Sequence, residues 1–397
     1  MDPYLADWLN LLLRWLHVIA AIAWIGASFY FIYLDMSLRR PLRRADEEKG
    51  VGGEFWAVHG GGFYHTQKYV VAPRTLPEPL HWFKWEAYTT WLSGFALFVV
   101  LYYVNAETYL VDRSIADISE SFAIALSVGG LALAWVVYDL LCRLLGGNDL
   151  LLALAVAGFT VGAAYAATNL FSGRAAYLQV GAMLGTMMAG NVLFNIIPAH
   201  WELVRAKQAA REPDPGPGIR AKQRSVHNNY LTLPVVFTMI SNHFPLAYGH
   251  RHAWLVLLAF MAIGAWIRHF FNLRHRGRNP LWIPATALVA LVALALAIQP
   301  EDGGEAAVET AEPVAFAEVE AIVEERCAAC HSSEPTLTAS APNGITFDSP
   351  EEIAAQADAI RRVAVDTHAM PPGNATGMTD DERALLGAWI AQGAAAR

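Results

Sequence analysis

The 397-residue chain is expected to be all-α: a polytopic membrane bundle of about eight transmembrane helices, both termini outside, fused to a small α-helical domain. Three observations carry that expectation. First, the chain is 55% hydrophobic and only 16% charged, against about 25% charged in soluble domains. Second, the deficit of charge is confined to residues 1–300, while the last hundred residues are acidic and soluble in character. Third, the basic residues cluster in alternate connections between the apolar runs, and positive loops mark the cytoplasmic side.

The runs long enough to cross ~30 Å of hydrocarbon fall near 8–34, 83–104, 121–144, 150–168, 177–200, 230–248, 253–273 and 281–299. Polar residues and two prolines interrupt the sixth. Arg39, Arg40, Arg43 and Arg44 follow the first run. Arg205, Lys207, Arg211, Arg220, Lys222 and Arg224 lie between the fifth and sixth, and Arg274, Arg276 and Arg278 between the seventh and eighth. Eight spans place these loops on one side. The first run is too long for a secretory h-region and has no basic n-region, so it is expected to serve as an anchor with its N-terminus outside.

Residues 1–299 therefore read as the membrane domain. Within it, residues 39–80 are glycine-rich but also hold Trp56, His59, Phe63, Tyr64, His65, Lys68 and Tyr69. That is too aromatic for disorder, so the segment is expected to fold as a cap on the inner face. Residues 209–220 read as a turn-rich linker. Residues 300–313 read as a flexible acidic tether, and residues 314–397 as the outer domain. A nucleic-acid partner is not expected from a chain of net charge −8.

The outer domain carries Cys327-Ala-Ala-Cys330-His331. Cys-x-x-Cys-His is the attachment signature of c-type haem: the thiols form thioethers with the vinyl groups, and the histidine binds iron beneath the ring. A structural zinc would need two more Cys or His ligands, and the remaining cysteine, Cys142, lies far away in an apolar run. Downstream, His368-Ala-Met370-Pro371-Pro372 offers a sixth ligand, because His/Met ligation raises the reduction potential. Met370 is the expected ligand, with Met378 and His368 as competitors. Thr379-Asp380-Asp381-Glu382 then reads as a helix start, with a short helix to Ala391. Helix, Cys-x-x-Cys-His, loop, Met-Pro turn and closing helix resemble class I cytochrome c across residues 315–395.

Titratable residues within spans are costly and default to functional hypotheses. The histidines fall at two depths. His17 and His243 lie in the outer half, while His81, His200, His227 and His269 lie in the inner half. Opposed histidines in a helix bundle can hold haem, so one or two non-covalent haem b groups are expected. Arg14, one turn outward of His17 on the same face, would pair with a propionate. His17, His243 and His269 are the leading iron ligands of this set, beside His331 and Met370.

The inner face has a second polar character. Residues 54–69 read EFWAVHGGGFYHTQKY, residues 81–98 HWFKWEAYTTWLSGFALF, and residues 227–249 HNNYLTLPVVFTMISNHFPLAYG. They supply aromatic planes, the amides of Gln67, Asn228 and Asn229, the Lys68 cation and the Glu86 carboxylate. Such a set would suit a flat, polar, anionic ring.

These three segments, placed before a C-terminal Cys-x-x-Cys-His domain, resemble the membrane-bound bacterial urate hydroxylases, also called cytochrome-c-linked urate oxidases. The resemblance covers essentially the whole chain. It implies oxidation of urate to 5-hydroxyisourate in the bacterial inner membrane, with oxygen from water. Electrons would leave through haem c in the periplasm to a soluble or membrane cytochrome c or a terminal oxidase, without peroxide. A base is then needed, and His59, His65, His81 or Glu86 are candidates, with Lys68 offsetting the anion. Urate bound at the inner face would sit ~30 Å from the outer haem, so intramembrane haems would have to relay the electrons. The competing expectation is a quinol-linked cytochrome b–c subunit without enzymatic activity.

Overall fold

The computed structural model describes residues 3–299, 313–338 and 340–396. The membrane domain begins with α1 (Pro3–Ser37) and α2 (Arg44–Glu48), followed by strands β1 (Val51–His59) and β2 (Gly62–Tyr69). Helix α3 (Trp85–Phe98) runs on through a π turn at Val99–Tyr103, and α4 (Ala106–Tyr109) follows. Then come α5 (Glu120–Leu145), α6 (Asp149–Thr168) and α7 (Gly173–Asn191), which passes through a π turn at Val192–Ile196 into α8 (Ile197–Gln208). Helices α9 (Pro215–Ser241), α10 (Pro245–Tyr248), α11 (Ala253–His275) and α12 (Trp282–Ala297) complete it.

Among the described residues, five helical stretches are long and apolar enough to cross a membrane: Tyr4–Ser37, Glu120–Leu145, Asp149–Thr168, Gly173–Gln208 and Ala253–His275. Trp282–Ala297 is apolar but shorter. Large apolar side chains such as Leu12, Ile19, Ile22, Leu133, Val136, Leu154, Leu288 and Val292 face outward, as a lipid-facing surface requires and a water-facing one avoids. Inside, α1 packs on α3, α7 on α5 and α9, and α11 on α9. The shared core includes Tyr138, Leu152, Tyr177, Leu184, Met187 and Leu257.

Two expectations are corrected. The chain is mostly helical, but the 39–80 cap is built on an antiparallel β-hairpin rather than helix. Its two-residue turn, Gly60-Gly61, holds both residues at positive φ, which glycine adopts freely and a primed hairpin turn demands. The sixth helix is also displaced. It spans 215–241 rather than 230–248, because the Asp214 side chain caps the Gly216 N–H and Pro215 suits the first turn. The linker reading of 209–220 therefore holds only up to Asp214.

In the C-terminal domain, α13 (Phe316–Arg326), α14 (Pro350–Ala355), α15 (Ala357–Ile360) and α16 (Asp380–Ala391) enclose a core of Val319, Val323, Ile353, Leu386 and Trp389. Thr379 and Glu382 form a reciprocal capping box at the start of α16. The Arg326 guanidinium grips Glu382 at 2.9 Å and the Thr376 carbonyl at 2.8 Å, tying α13 to α16. Most of the expected tether, 300–312, lies outside the described residues.

Candidate functional site

A cavity of about 330 Å³ opens between α1, α3, α7 and α9. It brings together Arg14, His17 and His243, the outer set anticipated from sequence. His17 is fitted closely against α3: a Cβ on Gly94 would come 2.7 Å from its Cε1. Its Nδ1 lies 3.0 Å from the Thr90 carbonyl oxygen. A carbonyl only accepts, so Nδ1 carries the proton and Nε2 keeps its lone pair. Arg14 is held by two hydrogen bonds to the Asn10 side chain, at 3.0 and 3.2 Å. The other walls are largely apolar or small: Trp24, Phe95, Phe98, Leu178, Gly181 and Gly185. An imidazole lone pair, a second histidine, a cation and a flat apolar slot are a donor set that fits haem.

The inner residues are distributed differently. His65 hydrogen-bonds Glu54 at 2.9 Å and stacks on Trp56 at 4.1 Å. Glu54 is buried, which raises its pKa, but the His65 bond and the Leu42 N–H outweigh burial and hold it below the usual carboxylate range. Lys68 is ion-paired with Asp35, which also takes Lys222 at 2.8 Å. The Lys68 charge is thus already matched within the protein. His59 stands at the hairpin tip, paired with Gly62, and Glu86 in the first turn of α3. His81 meets Phe83 edge-on, and His200 lies 6.4 Å from Trp82. His227 bonds the Tyr138 hydroxyl at 2.8 Å, and His269 the Tyr230 hydroxyl at 2.7 Å. Each inner histidine has its own aromatic neighbour, whereas the outer pair shares a cavity. Among the described residues no three of His, Cys, Asp and Glu converge as a metal-binding group, so iron here would draw its remaining ligands from a macrocycle.

Among the described residues of the membrane domain, two cations are buried: Arg224, which the sequence reading put among the loop basic residues, and Arg268, which that reading did not single out. Arg224 bonds Asp139 at 2.8 Å and belongs to a network with Asn191, Tyr138 and His227. Arg268 bonds Asn229 at 2.9 Å and lies 3.9 Å from the centre of the Phe29 ring. The available signal was an arginine inside the apolar run of α11.

In the C-terminal domain, α13 ends by folding Cys327, Cys330 and His331 into a tight turn, with the His331 N–H on the Cys327 carbonyl at 2.9 Å. Both cysteines are free. Burial pushes the Cys327 thiol up to about 12. The His331 Nδ1 donates to the Ile345 carbonyl at 3.0 Å, which again leaves Nε2 with its lone pair for a metal. The residues present fit a covalently attached haem. Met370 is half-buried at the edge of the domain core, whereas Met378 is packed within it. Buried Arg383 donates to the carbonyls of Ala364 and of Met370, the latter at 2.8 Å, and so pins the Met370 loop.

That loop is also where the domains meet. Gly373 (φ +57°) presses on the end of α4: a Cβ there would lie 2.5 Å from the Val111 carbonyl oxygen and 2.6 Å from that of Thr108. From this contact, ring neighbours lead inward. Tyr109 is within electrostatic reach of Cys330. Tyr109 and Tyr102 centroids are 6.4 Å apart, Tyr102 and Phe98 4.9 Å, and the last two line the His17 cavity.

Residues 3–299 match the family described as urate oxidase N-terminal. No curated protein and no solved structure matches the chain.

Proposed function

The chain belongs to the urate oxidase N-terminal family, and from that premise we propose that it oxidises urate within a membrane and delivers the electrons to a haem covalently held by Cys327, Cys330 and His331. One observation carries this reading: the family domain ends at residue 299, and the same chain continues into a Cys-x-x-Cys-His turn whose histidine has Nε2 free for iron. The reaction balances as urate plus water giving 5-hydroxyisourate, two protons and two electrons. Haem, once bound, supplies one-electron redox chemistry, so each turnover discharges in two steps to a cytochrome c or terminal oxidase.

In this reading, eight helices cross the bacterial inner membrane. The C-terminal domain rests on segments expected outside, near residues 108–111 and Gly249, while the hairpin lies at the inner ends of α1 and α9. His17, His243 and Arg14 hold a non-covalent haem b between the two. The aromatic steps from the cavity out to Tyr109, 4.9 and 6.4 Å between ring centres, favour this position for a relay. His331 and Met370 hold the covalent haem's iron, and Arg383 restrains the Met370 loop. A proton acceptor is required at the substrate; with urate at the hairpin, His65, paired with buried Glu54, would serve. Urate added without dioxygen should reduce the haem c absorption bands, and no peroxide should form. Dioxygen-dependent peroxide release would refute the reading.

A further inference from the structure

The most unusual chemistry in the membrane domain lies where α9 and α11 cross beneath α1. Arg268 is 4% exposed, Asn229 is fully buried and Asn272 is 3% exposed. Four of their side-chain polar atoms have no partner: Arg268 Nη2, Asn229 Nδ2, and both Oδ1 and Nδ2 of Asn272. Arg268 and Asn272 are one turn apart on one face of α11. The one bond joining the group runs from Arg268 Nε to Asn229 Oδ1, at 2.9 Å. Among the described residues no carboxylate is ion-paired with Arg268; its neighbour is the Phe29 ring, 3.9 Å away.

A buried guanidinium without a counter-charge is strongly unfavourable, as is each buried donor left without an acceptor. Such a cluster is completed by water or by a bound ligand, and only an anion balances the Arg268 charge. The occupant must be anionic, to balance Arg268. It must accept several hydrogen bonds and donate at least one, to match three donors and the Asn272 oxygen. It must be flat, since Phe29 already covers the guanidinium. We propose that Arg268, Asn229 and Asn272 form the recognition site for the urate monoanion. The proposal rests on the urate-oxidising function above and moves substrate recognition from the hairpin, where Lys68 is matched by Asp35, into the inner half of the bundle.

Pro234 lies inside α9, one turn beyond Tyr230, and has no N–H to return to the Tyr230 carbonyl, which weakens the helix beside Asn229. Gly264 of α11 packs there, its Cβ position 3.4 Å from the Pro234 nitrogen. At the inner ends of α1 and α11, Ser37 donates to the His275 carbonyl and Tyr33 meets His275 edge-on.

The test uses the full-length, haem-loaded protein in detergent. Arg268→Met should raise KM for urate by about 10- to 100-fold, the loss of a charge-assisted bond, with a smaller change in kcat. Urate should raise the thermal midpoint of the wild type and not of the variant. Without urate, Arg268→Met should be as stable as the wild type or more so, because an unbalanced buried charge has been removed; a merely structural arginine would give the opposite. Guanidinium ion should partly restore binding to Arg268→Ala. If the Arg268 variants do not fold, Asn229→Leu and Asn272→Leu decide by the same KM criterion. A folded variant with wild-type KM overturns the site. Wild type that is stabilised by urate through Arg268 but never reduced by it leaves the site standing and overturns the oxidase function instead.

Discussion

The C-terminal domain and the membrane domain store their chemistry in different ways. In the first, five consecutive residues form the proposed haem-attachment site, and a single turn after α13 suffices to present both thiols and the imidazole. In the second, the interesting groups come from three helices far apart in sequence. Arg14 and His17 on α1 meet His243 after α9, and Phe29 on α1 meets Arg268 on α11. A covalent cofactor needs a local motif, because the attachment machinery and the ligand geometry act on neighbouring residues. A pocket inside a bundle needs only that helices cross at the right height. The lesson is that a local motif can be read from the sequence, whereas a site assembled between helices is seen only in the packing.

The comparison can be broken or sharpened by experiment. The largest effect is expected at the motif. Cys327→Ala or Cys330→Ala should strip covalent haem, seen as haem extracted by acid–acetone, and lower urate-dependent electron transfer to background. His17→Ala should next remove non-covalent haem, measured by pyridine haemochrome, while leaving the covalent haem in place. If His17→Ala retains all its haem, the outer cavity holds something else. Met370→Ala should keep the covalent link, weaken the iron–sulfur absorption band and lower the potential. A normal band would transfer the role to Met378 or His368.

The smallest effect concerns the clamp between α13 and α16. The Arg326 guanidinium, with the Thr379 N–H, holds the Glu382 carboxyl below its ordinary range despite partial burial. A carboxyl depressed in the folded state contributes stability above its unfolded pKa and loses it as pH falls through the folded value. Glu382→Gln should therefore cost about 1 kcal/mol at neutral pH, and the difference from wild type should vanish on acidification, as read by thermal melts across pH.

Much of this was legible in the sequence, for physical reasons. Seven of the eight apolar runs became helices close to their expected bounds because twenty apolar residues have few alternatives. Thr379 to Glu382 announced a cap and made one. The sixth helix was misplaced because its first half is polar and begins in a Pro-Gly run, which reads as linker until Asp214 is recognised as a cap. The hairpin was hidden by residues that serve equally in loops. Depth alone grouped His17 with His243, and both line the same cavity. Lys68 and Arg268 show the limit: a basic residue's sequence neighbours do not say whether a carboxylate reaches it. Asp35 reaches Lys68 from a helix 33 positions away, and nothing comparable reaches Arg268.

The most direct test of the whole account is an anaerobic stopped-flow titration of the purified full-length protein with urate, monitoring haem absorbance. The account predicts reduction of the covalent haem, half an equivalent of urate consumed per haem reduced with covalent and non-covalent haem counted together, and 5-hydroxyisourate as product. Haem that stays oxidised under excess urate, in protein whose haem is reducible by dithionite, would contradict it.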